Sequence, residues 1–172
     1  MTGIEPIFAP TVRGTFYRAI DPNFREFAIA GSRSNGRYSR AEEPTLYLSS
    51  SAEGVEAAMI AHKDARAEAL EVIELDVDAP GIVDLRDPHA LEAIGIKLAD
   101  AIAPWQDIAA AGGTPSSWRV RDRLIEAGAH GLIDPSRKNP SLWHLVLFHW
   151  NETDAPTVRL RGTTNPAKHW AK

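Results

Sequence analysis

The sequence contains no cysteine. A disulfide framework, a thiolate nucleophile and a cysteine-ligated metal site are therefore excluded. There is no surplus of basic residues: 19 Lys and Arg stand against 23 Asp and Glu, for a net charge of −4. Sequence-independent binding to nucleic acid needs a cationic face that displaces counterions, so direct nucleic-acid binding is not expected. No apolar run approaches the roughly 18 residues of a membrane-spanning helix. The strongest apolar stretch, residues 142–150, is short and contains His144 and His149. Met1 to Pro6 show no basic segment leading into an apolar one, so no signal peptide and no membrane association are expected, and a cytoplasmic location is.

Several chemical signatures are also missing. There is no phosphate-cradling P-loop, no G-x-G-x-x-G, no H-E-x-x-H and no G-x-S-x-G elbow. His144 and His149 are five apart on a predicted strand, which sends them to opposite faces, so no metal site is expected there. The serines at 49–51 read as strand-end and helix-cap residues.

What is present is ordinary globular material. Of 172 residues, 44% are hydrophobic and 24% charged, the usage of a single domain with one proper core. That domain is expected to span 1–172, with its core over about 13–160. The tail 163–172, with Trp170 amid polar residues, reads as a flexible end or a contact point.

Residues 13–20 predict a strand with Phe16, Arg18 and Ile20 on one face and Tyr17 and Ala19 on the other. Residues 23–43 are polar and arginine-rich and predict mostly loop. Residues 46–48 predict a short strand. Ser50 and Glu53 have capping-box spacing for a helix to about 69, with Val55, Met59 and His62 on one face. Residues 71–77 alternate as a half-buried strand, and 82–85 are extended. Asp87-Pro88 starts a helix through 94. Residues 98–111 are helical but interrupted by Pro104, and Ser116 or Ser117 caps a helix that stops at Gly128. Strands are expected at 132–133, 142–150 and 157–160. Strands and helices mix without strict βαβ repetition, so the fold class is α+β.

Four pieces stand out in order: Phe16-Tyr17-Arg18; Gly36-Arg37-Tyr38; Tyr47-Leu48-Ser49 followed by Glu56 on a helix; and the segment Gly131 to Arg137, containing Pro135-Ser136, ahead of Leu147-Phe148. Each has an ordinary explanation alone. Arg18 fits an edge strand, Arg37 a solvated loop, Tyr47 a core rim, Glu56 the margin of a helix face and Ser136 a turn.

Together they resemble the RES domain family over residues 13–150. The chain departs from that pattern at Ser39 to Pro44, where the family has Asn-Pro-Pro-Gly, and at His62, which lies further along than the family's histidine. The resemblance implies a single domain like the ADP-ribosyltransferase fold, with a mixed or antiparallel central sheet flanked by helices. It implies the toxin half of a type II toxin–antitoxin pair that consumes NAD as a substrate, with no permanently bound cofactor. The partner it implies is an antitoxin with a helix-turn-helix DNA-binding domain, and the ADP-ribose acceptor a protein target, water or phosphate. A non-catalytic module of the same family, or a hydrolase of another nucleotide, is the alternative.

Under that resemblance Glu56 faces the developing ribosyl cation. Arg37, with Arg18 as second candidate, holds the pyrophosphate through bidentate hydrogen bonds. Tyr38 and Tyr47 offer aromatic faces to nicotinamide. Ser136 hydrogen-bonds nicotinamide or ribose.

Overall fold

The computed structural model describes residues 7–53, 55, 70–135 and 142–163. Strand β1 (Val12–Ile20) alternates as its sequence predicts: Phe16 and Ile20 are buried, and Tyr17 and Ala19 turn to the other face. It pairs antiparallel over its whole length with β3 (Glu71–Ala79), Phe16 opposite Leu75 and Arg18 opposite Ile73. β3 then pairs with β7 (Thr157–Thr163), with a bulge between Glu74 and Leu75.

The other half of the sheet is built from β2 (Leu46–Ser49), β6 (Trp143–Leu147), β5 (Gly131–Pro135) and β4 (Ile82–Asp84). Only β4 and β5 run parallel. Among the described residues the seven strands form one sheet in the order β4-β5-β6-β2-β1-β3-β7. The two halves meet between β2 and β1 at one register pair, Tyr17 opposite Ser49. The sheet therefore has a seam at its centre.

Each face carries its own core. Phe16, Leu48, Leu75, Leu145 and Leu147 belong to one cluster. Leu132, Val146 and Phe148 belong to the other, which packs against helices α1 (Pro88–Ile94) and α4 (Ser116–Glu126) through Leu91, Ile94, Val120 and Leu124. The short helices α2 (Leu98–Ile102) and α3 (Gln106–Ala110) lie between them in sequence. Pro104 separates α2 from α3, because it lacks an N–H and disfavours helix at the residue before it. α1 has the start and stop that its sequence predicts: the Asp87 side chain accepts from the His89 N–H, and Gly95 ends the helix at φ 79°. The result is an α+β fold.

Three local expectations are corrected. Neither Ser116 nor Ser117 caps α4, since Pro115 holds that position. Their hydroxyls reach across to other segments, Ser116 to Asp100 O at 2.8 Å and Ser117 to Arg37 O. Ser50 does not act as the first half of a capping box. Its Oγ accepts from Trp143 N–H, which prolongs the β2–β6 pairing, and helical backbone starts at Ala52. The strand predicted over 142–150 is β6 alone, so His149 lies beyond its end and meets His130 edge-to-face, with ring centroids 4.5 Å apart. The segment 23–43 is mostly irregular as expected, apart from the 3-10 helix Pro22–Phe27. Among the described residues no helix is long and apolar enough to cross a membrane.

Gly131 begins β5, opposite Leu147 of β6. A Cβ there would sit 2.2 Å from Val146 O, a backbone atom that cannot rotate away. Gly131→Ala is expected to destabilise the fold by about 2–3 kcal/mol, lowering the melting temperature by roughly 4–12 °C. Calorimetric melting of the variant measures this.

Candidate active site

The Gly36-Arg37-Tyr38 segment is held by one helix. From α4, Trp118 Nε1 donates to Gly36 O at 2.8 Å, Ser117 Oγ donates to Arg37 O, and Arg121 Nη1 donates to Tyr38 O at 2.8 Å. Positions 117, 118 and 121 share a helix face by their spacing. Arg121 also donates to Thr45 Oγ1 at 2.5 Å, and its guanidinium lies 4.8 Å from the centroid of the Phe148 ring. Burial pulls its pKa down, with Glu43 opposing that effect. On the outer side Arg40 forms a two-toothed pair with Asp122, at 3.1 and 3.0 Å.

Tyr38 hangs from this loop into the second core. Its ring is 1% exposed and its hydroxyl donates to Asp134 Oδ1 at 2.8 Å. The expectation that Tyr38 offers an aromatic face to a ligand is corrected: core side chains enclose the ring. Tyr47 is half-buried on β2. Its hydroxyl accepts from the Tyr38 N–H at 3.0 Å and lies 2.7 Å from Ser39 Oγ. Gly36 is a glycine for this reason, since a Cβ would come 2.6 Å from the Tyr47 hydroxyl. Burial raises the Tyr47 pKa, opposed by its hydrogen bonds to Ser39 and Tyr38.

Arg37 turns toward α2, where its Nη1 donates to Ala101 O at 3.0 Å and Ala103 O at 2.7 Å. Arg18 lies on the opposite face of the sheet from Tyr47. The pairing of Tyr17 with Ser49 fixes this, because Arg18 is one residue from Tyr17 and so lies on the Leu48 face, whereas Tyr47 is two residues from Ser49 and stays on the Ser49 face. Arg18 Nη1 donates to Ala28 O at 2.7 Å, and burial lowers its pKa. The loop thus brings Arg37, Tyr38 and Tyr47 together, while Arg18 stands apart from them. Glu56, Ser136 and His62 lie outside the described residues.

A polar row crosses the centre of the sheet; Tyr17, Ser49 and Asp134 lie within the ordered motifs with no role assigned to them there, and His144 lies outside them. Tyr17 on β1 faces Ser49 on β2, Ser49 faces His144 on β6, and His144 faces Asp134 on β5. Register partners share a face, so all four side chains project from the side that carries Tyr47. Ser49 Oγ is 3.1 Å from His144 Nδ1, and Asp134 accepts from Tyr38. Ser49 and Asp134 are buried, whereas Tyr17 and His144 are half-exposed. A cavity of about 440 Å³ lies by the seam, lined by Phe16, Ser50, Arg86 and Trp143. Phe16, Ser50 and Trp143 all belong to the face opposite the row, and among the described residues none of the candidates Arg18, Arg37, Tyr38 and Tyr47 lines that cavity.

Tyr47→Phe keeps the ring but orphans the Tyr38 N–H. The expected cost is about 1–3 kcal/mol. The raised Tyr47 pKa also sets a sign. Its stabilising contribution is complete below the unfolded value of 10.0 and is lost as pH climbs through the higher folded value. Denaturant titrations across alkaline pH are expected to show that loss in the wild type and a shallower one in Tyr47→Phe.

The RES domain model matches residues 13–170. Among solved structures, the crystal structure of the M. tuberculosis MbcT–MbcA toxin–antitoxin complex contains a similar chain. The two share 18% identity with a TM-score of 0.65, over 95% of this chain and 91% of that one. At that identity the likeness speaks to the fold. No curated protein sequence matches. The family model spans every one of the ordered motifs, from Phe16 to Phe148, and the chain belongs to the RES domain family.

Proposed function

We propose that this chain is the toxin of a type II toxin–antitoxin pair, and that it cleaves the nicotinamide–ribose bond of NAD and passes ADP-ribose to a protein target or to water or phosphate. Membership of the RES domain family carries the reading. The fold shared with a chain of a toxin–antitoxin complex supports it. So does the loop, held by α4, that carries Arg37 and whose Tyr38 N–H bonds the Tyr47 hydroxyl on the face bearing the polar row.

Cleaving this bond passes through an oxocarbenium-like state, as glycoside cleavage does. Nicotinamide is a good leaving group, so the main demands are binding, orientation and stabilisation of positive charge. Glu56 supplies the carboxylate facing that charge, and it also holds a ribose hydroxyl or the attacking group. Arg37 grips the pyrophosphate, with its guanidinium pre-set by the two carbonyls that share Nη1. Arg18 is the second candidate for that task and would have to reach the ligand from the far face. Tyr47 offers nicotinamide a half-exposed ring edge, and Ser136 a hydrogen bond. Tyr38 acts through others: it fixes Asp134 with its hydroxyl and Tyr47 with its backbone N–H. The partner is an antitoxin carrying a helix-turn-helix domain, and the pair works in the cytoplasm.

Purified protein incubated with NAD is expected to release nicotinamide. Glu56→Gln should lower that rate about 10²-fold or more and abolish growth arrest on expression. Labelled ADP-ribose on a protein band would assign transfer, and free ADP-ribose or its 1″-phosphate would assign degradation. If NAD stays intact with and without phosphate and cell lysate, and no protein is modified, the reading fails.

A further inference from the structure

The row Tyr17–Ser49–His144–Asp134 is one residue wide. The next row on the same face begins with Tyr47 and continues through Val146 and Leu132, which are buried and apolar. Polar side chains set into the middle of a sheet cost desolvation unless they are paired. Here the two buried members are paired, Ser49 with His144 and Asp134 with Tyr38, and the two half-exposed members face outward. The row also crosses the one register pair that joins the halves of the sheet. Tyr38 ties its far end to the loop that carries Arg37, so the row and Arg37 form one assembly.

We propose that His144 is a further ligand-contacting group on the sheet face that carries Tyr47, an imidazole that takes up a proton when the ADP-ribose portion of a dinucleotide binds. The proposal rests on the NAD reading above. The chemistry is specific to the residue type. Imidazole is the side chain whose ordinary titration falls near neutral pH, and a nearby anion favours its charged form. A pyrophosphate brings that anion. Ser49 fixes the ring through Nδ1, which sets the orientation of the opposite ring edge. The titratable groups facing His144 among the described residues are Asp134 from β5, Tyr17 from β1, Tyr47 from β2 and Tyr38 from the loop. Asp134 is the one carboxylate of the row, and one of its oxygens accepts from the Tyr38 hydroxyl.

ADP-ribose is the probe, because it has no nicotinamide bond to lose. Calorimetric titrations at pH 6 and pH 8, each in two buffers of different ionisation enthalpy, report affinity and proton uptake together. Wild type is expected to bind about tenfold tighter at pH 6, the equivalent of a one-unit rise in imidazole pKa on binding, with net proton uptake. In His144→Gln the pH gap and the uptake should both collapse. In Ser49→Ala the uptake should remain while affinity falls at both pH values. NMR titration of the His144 ring in wild type, with and without ADP-ribose, gives the same answer independently of how any variant folds: the ligand should move its titration upward. Unchanged proton uptake in His144→Gln, a His144 titration unmoved by saturating ADP-ribose, or no binding of ADP-ribose by wild type would each overturn the proposal. The two readings part cleanly. NAD loss without proton-linked binding removes the role of His144 and keeps the cleavage. Proton-linked binding by a protein that leaves NAD intact does the reverse.

Discussion

Three consecutive backbone carbonyls, those of Gly36, Arg37 and Tyr38, each accept a hydrogen bond from a different side chain of one helix. A carbonyl withdrawn from water must find a donor or cost free energy. Within the loop the Gly36–Ser39 bridge offers one, the Ser39 N–H at 3.4 Å from Gly36 O. α4 supplies all three, from Ser117, Trp118 and Arg121, and so converts a polar loop into a fixed platform. Everything placed by that loop follows: the position of Arg37 against α2, the burial of Tyr38, its hydroxyl on Asp134 and the seat of the Tyr47 hydroxyl. Arg121 is the costly member of the set. It is a cation that burial disfavours, offset by two hydrogen-bond acceptors, the Phe148 ring and Glu43.

The second constraint is the thin seam. β1 and β3 pair over their full length, and β2 pairs with β6 at every residue, yet β1 and β2 share one register pair. A sheet joined so lightly leaves the facing edges of β1 and β2 with one register pair between them, while each strand is held by the ladder on its other side. Binding groups set along such a line can be polar without breaking a long run of strand pairing. Because side chains alternate, the same seam sorts the candidate residues: Tyr17, Ser49 and Tyr47 to one face, Arg18 to the other.

Much of the fold was legible in the sequence. The alternation of Phe16, Arg18 and Ile20 gave β1 and its inward face, and Asp87-Pro88 gave the start of α1, which runs through Ile94 as read. Pro104 gave the break between α2 and α3. The misread helix caps share one cause. Ser50, Ser116 and Ser117 have the residue type of helix caps, and locally nothing distinguishes a cap from a hydroxyl that reaches another segment. Ser117 bonds to a carbonyl 80 residues away, and no window of sequence contains that partner. The aromatic types at 38 and 47 were visible, but which of them keeps an open edge depends on which core closes over the ring.

The sequence by itself determined the α+β class, most strand and helix positions, the absence of thiol chemistry and, through its ordered motifs, the family. Periodicity, capping and composition are local properties, and they survive without the fold. Tertiary structure alone decided that Tyr38 is enclosed, that Arg18 and Tyr47 face apart, and that Tyr17, Ser49, His144 and Asp134 line up. Strand register is a long-range choice, set by how two faces of a sheet share their cores, and a slip of one residue would have turned every member of that row to the other side.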